Sequence, residues 1–234
     1  MPNQQTAAQV QSTVPFGVGD ALLRAVRRLY ARHETKLPFH GWHHIRFVRD
    51  KAMEFAAKNG SDVEFVGAAA LVHDVNYLVN RNSDVAAGRQ LRADLLFGAG
   101  ASAELVGRVE RVVLEADMAS RDDGISPEAQ ALSDADTLFK ALPITPVVLA
   151  HRYLKETGVS LRSLATKIVT DQQRAYDRGF YFYNPEAASS YSTWVAANLT
   201  LWKCILESLD DPIVDGLIRA IDALPGQTPG LADG

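Results

Sequence analysis

A histidine and an aspartate interrupt the apolar, small-residue run 68–77, where His73 and Asp74 follow Leu71 and Val72. Val66, Ala69, Ala70, Val75 and Leu78 fall on more than one side of a 3.6-residue helix, the pattern of a helix enclosed by others. His73 and Asp74 are therefore expected to be buried or at the floor of a cleft. A buried carboxylate without a partner costs several kcal/mol or else takes up a proton, so Asp74 needs a cation, a strong hydrogen-bond donor or a metal. Further imidazole and carboxylate groups stand at His44, at the start of an earlier helix, and at Asp134 and Asp136 in a later one. Imidazole and carboxylate together suit one divalent transition metal, Mn, Fe, Co, Ni or Zn in preference to Mg, with coordination positions left for water and a substrate oxygen.

These residues must be positioned by helices. Ala21 to His33 puts Leu22, Val26, Leu29 and Tyr30 on one face, with four arginines mostly on the other. Ile45 begins an amphipathic helix that ends near Asn59-Gly60. Ser61 is read as the cap of the next helix, which carries His73 and Asp74 midway and fades near Val79. Further periodic segments start at Ser83 or Asp84, Ser102 and Ser126, and the last of these runs to a break at Pro143. Beyond it lie Pro146 to Thr157, Ser160 to Arg178, Ala187 to Leu209 and Pro212 to Leu224. No run of alternating β-branched residues bounded by hairpin signals occurs, so the expected class is all-α, a single bundle with additional C-terminal helices. Residues 1–16 and 226–234 read as flexible tails around a domain spanning 17–225, whose motif region is 30–142 and whose C-terminal helices are 146–225.

A chain of 234 residues with 47% apolar composition can bury a proper core. Its 24 basic against 28 acidic residues give a net charge of −4, with no electrostatic footprint for a nucleic-acid polymer or an anionic membrane. Cys204 cannot form an internal disulfide and reads as a core thiol in a reducing compartment. No apolar run reaches the roughly 18 residues of a membrane span, and the N-terminus lacks a signal-peptide pattern. The expected location is cytoplasmic. The apolar face of 187–209 could mediate a homodimer or close the bundle. Phe180 to Tyr183, with Tyr191, Trp194 and Trp202, read as core packing that could close one side of the cleft.

The order His44, then His73-Asp74 between apolar residues, then Leu132-Ser-Asp134-Ala-Asp136-Thr-Leu138 resembles the HD-domain superfamily of metal-dependent phosphohydrolases. The resemblance covers roughly 30–142 and implies an HD-type helical bundle. It also implies a metal held by His44, His73, Asp74 and Asp136, with Asp134 as the alternative last ligand. His44, followed by Ile45 and Val48, fits the first ligand better than His43 does. His40, four residues before His44, could contact a phosphate or orient a ligand, and Asp74 could orient the attacking water; these two are the catalytic candidates. Arg46, Asn76, Tyr77, Arg81, Arg89 and Lys140 are candidates for substrate binding.

Tyr77 stands where some nucleotidase members carry a glutamate, so their acid–base assignment does not transfer. No histidine lies between His73 and His151, which argues for one metal rather than the dinuclear oxygenase branch. The implied activity is hydrolysis of a small phosphate ester, nucleotides included, by a metal-activated water. A non-catalytic metal- or ligand-binding module and a hydratase-type enzyme acting on a non-phosphate substrate remain open beside it.

Overall fold

The computed structural model describes residues 12–117, 121 and 124–224. The expected tails at 1–11 and 226–234, and most of the charged loop 117–124, lie outside the described residues. The chain is all-α, and the described residues contain no strand. The helices are α1 (Val18–Arg32), α2 (Trp42–Asn59), α3 (Val63–Val72), the single turn α4 (Asn76–Val79), α5 (Arg89–Gly98), α6 (Ala103–Glu115) and α7 (Pro127–Ala141). They continue as α8 (Ala150–Thr157), α9 (Leu161–Lys167), α10 (Gln173–Asp177), α11 (Pro185–Ser208) and α12 (Pro212–Asp222).

Helix α2 is the axis of the bundle, packed between α3 and α7. Its buried residues His44, Val48, Ala52 and Phe55 recur at helical spacing, so His44 rides on the same stripe that enters the core. Helix α3 is buried continuously from Phe65 to Val72, and its three successive alanines let α1, α2, α6 and α7 all approach it. Its cap is Asp62 rather than the expected Ser61. The Asp62 carboxylate accepts from Phe65 N at 3.1 Å and also from the backbone N–H (2.5 Å) and hydroxyl (2.7 Å) of Thr13. Residues 12–16, expected in the tail, are thus tied to the bundle.

Several expected helices are interrupted. The segment expected to run from Ser61 to Val79 breaks at His73, Asp74 and Val75, between α3 and α4. A 3₁₀ turn, Val85–Gly88, capped by Asp84, precedes α5. This turn lies against the break, because a Cβ on Gly88 would meet the backbone nitrogen of Asn76 at 2.9 Å. Glycine is the residue that permits that approach. The turn is also held by buried Arg92, which donates to Val85 O at 2.7 Å and pairs with both oxygens of Glu110 at 2.7 and 3.0 Å. Further on, π-helical turns at Thr145–Leu149 and Ile168–Gln172 divide the two expected segments 146–157 and 160–178.

Cys204, expected in the core, is exposed. Tyr181, Phe182 and Trp202 are buried, as core packing requires, whereas Trp194 is 39% exposed.

Candidate metal centre

His44 enters the site from the first turn of α2, and Asp136 from the middle of α7. Side chains at i and i+1 do not face each other on a regular helix. The break after α3 removes that restriction for His73 and Asp74: the main chain turns tightly, Tyr77 N donating to Asp74 O at 3.2 Å and Leu78 N to Val75 O at 3.1 Å. His73 Nε2 then lies 3.2 Å from Asp74 Oδ2. The His44 Nε2 atom is 2.9 Å from the same oxygen, 3.3 Å from His73 Nε2 and 3.6 Å from Asp136 Oδ1. One ligand atom from each of the four residues lies within 4.8 Å of the others.

The donor set has the chemistry of a metal site. His73 Nδ1 lies 2.8 Å from the carbonyl oxygen of Ala70. A carbonyl only accepts, so Nδ1 carries the proton and Nε2 turns its lone pair to the cluster. Two imidazole nitrogens and two carboxylates drawn together from two helices and a turn could hold a metal ion. Burial lowers the His44 pKa to about 4, over the opposing pull of Asp74, which keeps this imidazole neutral and available as a ligand. Burial pushes His73 down as well, but Asp74 outweighs it and leaves the group above its usual value. The Asp74 carboxyl, against its burial, is held well below the usual range by His73 and His44. Lys140, one helical turn beyond Asp136, donates to Asp136 Oδ2 at 2.6 Å and, against the effect of burial, helps hold that carboxyl below its usual value.

The carboxylates of Asp74 and Asp136 keep 17% and 20% of their exposure, while His44 keeps none. The cluster therefore opens on its carboxylate side, into a cavity of about 870 Å³. His40, Asn76, Tyr77 and Lys140 also line this cavity. Asn76 latches the following loop, donating to Ser83 O at 3.0 Å and accepting from the Ser83 hydroxyl at 2.8 Å on its own carbonyl.

Three expected substrate-binding residues do not line this cavity. Arg46 is exposed on α2, 3.7 Å from Asp50. Arg89 is exposed at the start of α5, 3.4 Å from Glu110. Arg81 lines a separate cavity of about 520 Å³ with Tyr77 and Glu156. All three are near the ligands in sequence, but the rotation of α2 and α5 carries Arg46 and Arg89 elsewhere, and Arg81 lies in the turn beyond α4. His43 is exposed.

Asp134 is fully buried away from the cluster. It accepts from Tyr183 N at 2.9 Å and Asn184 N at 2.7 Å, with the Arg121 guanidinium at 3.5 Å. Burial still pushes its carboxyl up to about 6. Of the two aspartates on α7, only Asp136 joins the cluster.

Two residues that sequence reading missed complete the surroundings. Glu156 on α8 lies 2.5 Å from His40 Nδ1, and its other oxygen accepts the backbone N–H groups of Phe39 at 2.7 Å and His40 at 3.1 Å. The opposite constraint on His40 is Tyr77, stacked on its ring at 3.7 Å between centroids. Arg121 is buried and donates to Ser133 Oγ, Thr137 Oγ1 and the carbonyls of Phe180 and Tyr181. For Glu156 the one sequence signal was a carboxylate between the apolar-facing Leu154 and Thr157; its partner stands 116 residues earlier.

No family model matches the chain, and no curated protein matches it. Two solved structures share its helical architecture. The Lin1889 protein from Listeria innocua aligns with a TM-score of 0.52 and 17% identity, over 84% of this chain and 97% of that one. A protein from Lactobacillus plantarum aligns with a TM-score of 0.57 and 18% identity, over 81% of this chain and 95% of that one. At these identities the likeness is one of fold: an all-helical architecture shared along nearly the full length of both neighbours.

Proposed function

We propose that this protein is a mononuclear, metal-dependent phosphohydrolase of the HD type that acts on a small phosphate ester. The observation that carries the reading is the convergence of His44, His73, Asp74 and Asp136 at the wall of a cavity large enough for a small-molecule substrate. These four residues would hold one divalent transition metal. Such an ion, when bound, polarises a phosphoryl oxygen and brings the pKa of a water toward neutrality.

The remaining chemistry belongs to side chains of the chain itself. In the net reaction a water oxygen forms a bond to phosphorus, the ester P–O bond breaks, and the leaving oxygen takes a proton. Asp74, ionised and at the open side of the cluster, orients the water and accepts its hydrogen bond. Lys140 fixes Asp136 and brings positive charge to the cavity wall, where it offsets the phosphate. Glu156 engages His40 Nδ1 and Tyr77 covers the ring face, so Nε2 is the atom left to hydrogen-bond a phosphoryl or leaving oxygen.

Elemental analysis of protein purified without chelator, wild type beside His73→Ala, with phosphate release from a substrate panel, tests this. We expect about one metal per chain, lost in the variant together with phosphate release. Metal retained by wild type without turnover on any phosphate ester would favour a binding module or a hydratase. Metal and turnover unchanged in the variant would end the proposal.

A further inference from the structure

The far wall of the cavity is made by the C-terminal helices, outside the region that carries the ligand motif. Along α9, the second π-helical turn and α10, the residues that face the cavity recur every three or four positions: Leu164, Lys167 and Ile168, then Asp171, Arg174 and Arg178. The stripe is apolar at its start and cationic along the rest. Three cations share it with the single carboxylate of Asp171.

None of the three has a carboxylate within ion-pair distance among the described residues, whereas Lys51, Lys58, Arg162 and Arg219 elsewhere on the surface do. The Arg178 guanidinium lies 5.5 Å from the Phe180 ring, which holds it beside the cavity rather than pairing it. By contrast the cations at the metal end are committed. Lys140 is bound to Asp136, and Arg121 is consumed by Ser133, Thr137 and two backbone carbonyls. The cavity thus has a ligand cluster on one wall and uncommitted positive charge on another, in a chain whose net charge is −4. Guanidinium and ammonium groups that line one concave surface without a carboxylate partner match phosphate oxygens.

We propose that Lys167, Arg174 and Arg178 form an anion subsite that seats a second phosphate of the substrate, remote from the ester that is cut. The inference rests on the hydrolase reading for the word substrate, but the subsite itself is a binding property. The preferred ligand class is therefore a molecule with two phosphate groups joined through a small body, whose reacting end meets the His–Asp cluster and whose other end meets the stripe.

The test is calorimetric binding of a series of α,ω-alkanebisphosphonates and matched alkylphosphonates to the full-length protein loaded with Mn. Wild type is compared with Lys167→Ala, Arg174→Ala, Arg178→Ala and the triple variant, and Arg46→Ala on the exposed face of α2 is the control. A bisphosphonate of fitting length should bind at least tenfold more tightly than its monophosphonate, and the gap should narrow as salt is added. Each single alanine should weaken bisphosphonate binding about three- to tenfold, the triple variant should abolish the gap, and monophosphonate binding should stay unchanged. Circular dichroism of each variant separates loss of the subsite from loss of the fold. Equal affinity for the two probe series in wild type, or a gap that survives the triple substitution, would overturn the subsite. If no phosphate ester is hydrolysed while the gap and its loss are observed, the subsite stands and the hydrolase reading falls.

Discussion

Asp134 and Asp136 stand two positions apart on α7, about 200° around the helix axis, and that rotation divides their work. Asp136 meets the histidines and Lys140, while Asp134 receives the amides that lead into α11. Their substitution should therefore have opposite signatures. Asp136→Asn is expected to lower metal content and phosphate release together, with little loss of stability. Asp134→Asn should keep its metal and lose about 1–3 kcal/mol, because a carboxamide cannot accept all the hydrogen bonds the carboxylate receives. Elemental analysis beside urea denaturation reads both quantities, and the reverse pattern would reassign the last ligand. The motif alone left these two residues as alternatives, since the direction a side chain takes from α7 depends on what packs on each face. Neither His40 with Glu156 nor Arg121 with Asp134 could be paired by inspection of the sequence, because each contact joins elements whose docking is not a local property.

At the scale of elements, α3 shows how a helix start serves the site. Asp62 caps it and binds Thr13, so the segment before α1 is drawn against the helix whose end carries His73 and Asp74. Burial raises the Asp62 carboxyl, but the hydrogen bonds from Thr13 and Phe65 outweigh it, and the folded-state pKa lies below its ordinary value. The unfolded chain then takes up this proton first as acid is added. The stabilisation is fully present above the unfolded carboxylate pKa of about 4, and it is lost as pH falls through the folded value. Asp62→Ala should cost about 1–2 kcal/mol at neutral pH. Asp62→Asn, which can still cap, should flatten the acid limb of stability between about pH 4 and the folded value. Urea midpoints measured across that range check both, and an unchanged acid limb in Asp62→Asn would remove Asp62 from the account. The positions of α1, α2, α6 and α7 followed from apolar periodicity and caps. The break after Val72 did not, because Phe65 to Val72 and Val75 to Leu78 read as one apolar helix until the turn at Val85–Gly88 is seen against Asn76.

At the scale of the whole molecule, the helices up to α7 supply the cluster and the segments from Thr145 onward supply much of the cavity's other wall. Arg121 joins the two, with α7 on one side of its guanidinium and the carbonyls of Phe180 and Tyr181 on the other. Arg121→Met should destabilise the fold by about 3 kcal/mol, since it strands buried acceptors and the Asp134 carboxylate. The metal should nevertheless remain bound, because all four ligands lie on the other side of that joint. Denaturation with elemental analysis distinguishes this from a variant of wild-type stability, which would show that other contacts hold the halves together. The amino-acid sequence by itself determined the all-α class, most helix boundaries and the residue types capable of binding a metal, because periodicity, caps and short motifs are local. Tertiary structure decided which aspartate joins the histidines, which cations remain uncommitted in the cavity and which lie outside it. Those outcomes depend on how helices far apart in the chain turn their faces toward one another, and no local pattern encodes that rotation.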